Sequence, residues 1–107
     1  MDTKTMIARI WTARFDLAKS DTLKAYADSK SLPFLSSVKG NCGVLFLTHE
    51  DEWQTITFWH NEADYLAMES DPAYQALNQG ILNIDAIKEV ISVKIFNVDA
   101  SKGVADL

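Results

Sequence analysis

The chain has 107 residues, 48% of them hydrophobic and 23% charged, which is the balance of one globular domain and excludes disorder throughout. Its 10 basic and 15 acidic residues leave a net charge of −5, and the basic ones are scattered, which speaks against a nucleic-acid partner. A single cysteine, Cys42, rules out an intrachain disulfide and a thiolate metal cluster, and no stretch approaches the ~20 apolar residues of a membrane span.

The opening residues MDTKTMIARI lack a long apolar run, so an uncleaved cytoplasmic protein is expected. One domain is expected over 1–107, with its core at 6–98 and a polar tail at 99–107. From Met6, MIARIWTARF sets Ile7, Arg9, Trp11, Ala13 and Phe15 on one face and Met6, Ala8, Ile10, Thr12 and Arg14 on the other. Both faces are largely apolar, which predicts a central strand covered on two sides. Ser20 and Asp21 offer cap acceptors to a helix over TLKAYADSK. Pro33 should break that helix and begin a second, PFLSSVK, and Gly40-Asn41 should stop it.

GVLFLTHEDEWQTITFWH predicts a hairpin with Glu50, Asp51 and Glu52 at its tip, and Trp53 is expected at a barrel edge or dimer contact. Asn61 caps a helix over EADYLAMES, and Asp71-Pro72 opens another, PAYQALNQG, which Gly80 should end. Residues 81–89 read either as an irregular segment or as a helical turn, and VISVKIFNV is the last strand.

The order β-α-β-β-α-β is the split-βαβ, ferredoxin-like α+β arrangement: an antiparallel sheet, helices on one face, strands one and three in the middle. Its uncovered face would remain an apolar patch in a monomer. A second copy, sheet against sheet, would cover it, so a symmetric homodimer enclosing a barrel-like core is expected.

The strand MIARIWTARF, the run VKGNCGVLFL and the junction TITFWHNEADYLAM together resemble the antibiotic biosynthesis monooxygenase (ABM) domain family of the dimeric α/β-barrel superfamily. The likeness spans roughly residues 6–98 and rests on Arg9 and Trp11, on Pro33, Gly40, Asn41 and Gly43, and on Trp59 with Glu62. Haem-degrading members of that family use a first-strand Asn, a helical Trp and a His ligand. None of the three has a counterpart here, where Ala76, Leu77 and Asn78 stand in place of the imidazole. Quinone-forming members use neither metal nor flavin, and Trp59 with Tyr65 resembles their pocket pair, although Thr55 and Gln79 stand where supporting residues would be.

The resemblance thus implies a cofactor-independent monooxygenase acting on a small aromatic or quinol-type molecule, with no cofactor and no metal. Such chemistry needs the phenol as its anion, hence a base and an anion stabiliser. The two imidazoles, His60 and His49, are the base candidates, His60 first. Trp59, Tyr65 and Arg9 are the donors, and Arg9 and Trp11 the substrate-binding candidates. Each has a plainer reading: exposed histidines at strand ends, Trp11, Phe58 and Trp59 as core, and Arg9 paired with Glu62 or Asp64 because an isolated buried cation is costly. The alternative function is a non-catalytic dimer that binds a small molecule in the same pocket.

Overall fold

The computed structural model describes residues 6–103. Strand β1 (Met6–Phe15) leads through a 3₁₀ turn into α1 (Ser20–Tyr26) and, after a widened turn, α2 (Leu32–Ser37). The hairpin β2 (Asn41–His49) and β3 (Glu52–Trp59) follows, then α3 (Glu62–Glu69), α4 (Pro72–Asn83) and β4 (Ile87–Val98). All pairings are antiparallel and the sheet order is β2-β3-β1-β4, so the first and third strands are central and the sheet stays open. This is the ferredoxin-like α+β fold read from the sequence. Residues 1–5, on which the expectation of an uncleaved start rests, lie outside the described residues, as do 104–107 of the tail.

The odd positions of β1 turn toward the helices. There Phe15 and Trp53 pack with Leu23, Ala27 and Ala86, while Leu35, Trp59, Tyr65 and Met68 form a second cluster. Trp53 is therefore core, not the edge residue expected: its period-2 parity with Trp59 sends both indoles under the helices. On the other face Ala8, Ile10, Leu45, Ile56, Phe58 and Phe96 stand in adjacent register, and Phe96 is 50% exposed.

Three local expectations are corrected. Ser20 does not cap α1, because Asp16 starts the helical stretch earlier, its Oδ1 accepting from the Ala18 N–H at 3.0 Å, and Ser20 already has helical backbone angles. A second helix does begin beside Pro33, as expected, but without a break before it: Leu32 stays helical at φ −62°, ψ −50°, and a π turn over Ala27–Ser31 gives the ring the space a regular turn would deny it. Gly80 lies inside α4, which runs on to Asn83. The phenol of Tyr26 rests on it, donating to the Leu77 carbonyl at 2.8 Å, and an added Cβ would overlap that hydroxyl. Residues 81–89 resolve into the end of α4, a turn at Asp85 with φ 60°, and the start of β4. Gly40 at φ 85° makes the turn into β2, after α2 has already ended at Ser37 with Val38 extended, and Asn61 and Asp71 cap their helices, their carboxamide and carboxylate oxygens accepting at 3.0 and 2.9 Å.

Candidate functional site

The helix face of the two central strands consists of four facing rows: Ile7 with Trp59, Arg9 with Thr57, Trp11 with Thr55, and Ala13 with Trp53. Along β3 this reads W-x-T-x-T-x-W. Each indole leans on the neighbouring threonine, Trp53 Nε1 donating to Thr55 Oγ1 at 2.9 Å and Trp59 Nε1 to Thr57 Oγ1 at 2.8 Å. The outer rows are filled by the two core clusters. The inner rows hold only short side chains on β3, and a cavity opens above them.

Counting its open mouth, the cavity leaves about 540 Å³ unfilled, and it narrows inward to a slot of about 40 Å³. Its floor is Arg9, Trp11, Thr55 and Thr57, and its roof comes from the α1–α2 stretch and α4. The π turn sets Ala27 and Ser31 into that roof. Apolar walls from Leu23, Leu35, Leu77 and Ile81 share the cavity with a polar end where Arg9 and Tyr74 meet.

Arg9 is only 6% exposed. Its Nε donates to Glu69 Oε2 at 2.9 Å and its Nη2 to the Tyr74 hydroxyl at 3.2 Å, with Cζ 5.7 Å from the centroid of the Tyr74 ring. The expected pairing with an acid thus occurs, but neither Glu62 nor Asp64 supplies it. Glu62 is exposed at the start of α3, and the Asp64 carboxylate accepts from Asn61 Nδ2 at 3.1 Å. Glu69 lies on the buried stripe of Tyr65 and Met68, at i+4 and i+1, and reaches the sheet.

The remaining sequence-stated candidates stand apart from the cavity wall. Trp59 is fully buried and its ring centroid is 6.4 Å from that of Tyr65, in the cluster beyond the Arg9 row. Burial, with the charges of Glu62 and Glu69, pushes the Tyr65 phenol up, so it is a neutral donor at pH 7. His60 is exposed, and only its backbone N–H is engaged, donating to the Gly40 carbonyl at 3.0 Å. His49 is exposed at the hairpin tip, 3.1 Å from Glu50. Arg9 and Trp11 line the cavity; Trp59, Tyr65, His60 and His49 do not, and among the described residues no histidine, carboxylate or thiol is in its lining. Sequence reasoning missed Glu69, Tyr74 and Thr57. The helix stripe 65/68/69 was a usable signal for Glu69, and two threonines between two tryptophans at strand spacing one for the void.

No protein-family profile and no curated protein matches the chain. Solved structures do. A protein from Nitrosomonas europaea provisionally named an antibiotic biosynthesis monooxygenase superposes with a TM-score of 0.77 at 14% identity, covering 96% of this chain and 99% of its own. One of the same provisional name from Chloroflexus aurantiacus gives 0.71 at 17% identity, over 92% and 98%. Another, from Deinococcus radiodurans, gives 0.66 at 11%, over 92% and 95%. The chain therefore has the fold of structures that bear the ABM name, in accord with the resemblance carried by its sequence motifs.

Proposed function

We propose that the protein is a cofactor-independent monooxygenase that takes a small, flat phenolic molecule into the cavity and oxidises it to a quinone. The observation that carries this reading is the slot itself, apolar along its walls, with Arg9 and Tyr74 converging at one end. The fold shared with provisionally named monooxygenases supports it. In the reaction one atom of O₂ enters the ring and becomes the second quinone carbonyl. The other leaves as water with the hydroxyl hydrogen and the hydrogen of the substituted carbon, and the substrate supplies all four electrons. Trp11 would lie along the ring, and Trp59 and Tyr65 would act from behind the wall by fixing Thr57. This reading leaves the exposed His60 outside the reaction.

The working unit in this proposal is a homodimer formed through the open sheet face, where Ile10, Leu45, Ile56 and Phe96 meet a second copy. A second reading, a non-catalytic dimer that only holds such a molecule, is favoured by the lack of an imidazole or carboxylate in the wall. Oxygen uptake with a panel of hydroquinones and phenols separates the two. Wild type and His60→Ala should consume oxygen alike, and Thr57→Leu, which fills the slot, should lose at least ten-fold while keeping its fold. Absence of uptake with every compound would remove the enzymatic reading and leave the binding one.

A further inference from the structure

A guanidinium carries five N–H donors. In Arg9 one goes to Glu69 and one to Tyr74, and the other three have no protein acceptor among the described residues. The residue is more than nine-tenths buried and lines the slot, which is where an acceptor on a ligand could reach it. Tyr74 adds a second donor. Its oxygen is already occupied as the acceptor from Arg9 Nη2, which leaves its own hydrogen to be given to something else in the cavity wall. The polar end thus offers donors, while no carboxylate or imidazole in the lining could take a proton from a ligand.

We propose that the slot binds its aromatic ligand as a pre-formed oxyanion, a phenolate, whose oxygen accepts from Arg9 Nη and Tyr74 Oη–H. This rests on the phenol-oxidising reading above and narrows its substrate class to phenols acidic enough to arrive ionised. Arg9 takes the place of a general base: it lowers the proton affinity of the bound phenol instead of removing the proton. The charged and titratable groups around Arg9 are Glu69 and Tyr65 of α3 and Tyr74 of α4, with Tyr26 on the same wall. Glu69 is the only carboxylate in contact with the guanidinium among the described residues, and it holds Nε, the edge opposite the free Nη1. Its charge opposes an anionic ligand, so its removal should tighten binding.

The test uses 4-nitrophenol, which ionises near neutral pH with a change of colour, and 4-nitroanisole, a neutral analogue of the same outline. Quenching of the tryptophan fluorescence reads binding of both, and the visible absorbance reads the ionisation of the first. The proposal expects phenolate to bind at least ten-fold more tightly than phenol, so that the bound probe's pKa falls by about one unit. Arg9→Met should abolish that shift and leave nitroanisole binding within about two-fold. Glu69→Gln, whose amide oxygen can still accept from Nε, should enlarge the shift. Arg9→Lys, which keeps the charge, should retain part of it and guards against a folding defect in the methionine variant. Equal binding of both probes with no pKa shift would overturn the anion proposal while the cavity reading stands. Binding of neither would overturn both.

Discussion

At Arg9 the two ends of one ion pair are unequally buried: the arginine side chain is 8% exposed and that of Glu69 34%. Removing Glu69 strands a cation in the interior, whereas removing Arg9 frees a carboxylate that already reaches water. Chemical denaturation should therefore find Glu69→Met destabilising by about 2–4 kcal/mol and Arg9→Met by about 1 kcal/mol or less. A second residue-scale prediction concerns Asp51, whose carboxylate is held below the usual range by a hydrogen bond and charge from Arg14, with Nη2 2.8 Å away. Because the folded value is the lower one, the pair stabilises above the unfolded carboxylate pKa, and that contribution fades as pH falls below about 4. NMR titration should place Asp51 back at an ordinary value in Arg14→Met. Which residues of β1 share a face was legible from parity, though not which face meets the helices, and the burial of Arg9 allowed either a paired acid or a cavity. Which acid it meets was not legible, because the choice between Glu62, Asp64 and Glu69 depends on how α3 is rolled against the sheet.

At the scale of elements, strands and caps were readable because their signals are local: alternation in β1, β2 and β3, and side-chain acceptors at Asn61 and Asp71. Two of the misreadings, Pro33 and Gly80, are residues whose local tendency was overruled by a distant contact or an altered turn. Gly80 reads as a helix stop in isolation, yet its missing Cβ accommodates Tyr26, over fifty positions earlier in the chain. Alanine inside a helix ordinarily gains up to about 1 kcal/mol over glycine. Here Gly80→Ala should instead cost about 1–3 kcal/mol by overpacking, and Tyr26→Phe in the same chain should recover part of the loss. Thermal unfolding of the two single variants and the double variant measures both effects.

For the whole molecule, the sequence argument that one sheet face needs a cover is matched by side chains that point away from every helix. Leu47 and Phe96 are among the exposed apolar residues of that face, and β4 adds Val93 and Ile95 on its other side. Sedimentation at micromolar concentration should give twice the 12.0 kDa chain mass for wild type and the single mass for Phe96→Glu, since a carboxylate within a sheet-to-sheet contact would be buried unpaired. A pocket under the helices was expected, lined by Trp59 and Tyr65; its place above the middle of β3 was not. The sequence drew attention to the aromatic cluster at the end of β3, while the opening arises from what the middle of that strand lacks.

The ladder of two threonines between two tryptophans also has a consequence for how such a protein can change. The floor of its opening is set by two residues of an interior strand and by no loop, so serine at 55 or 57, which keeps the hydroxyl that accepts from each indole, would widen the opening in a single step. New guests could be tried in that way while caps, turns and the outer surface stay as they are.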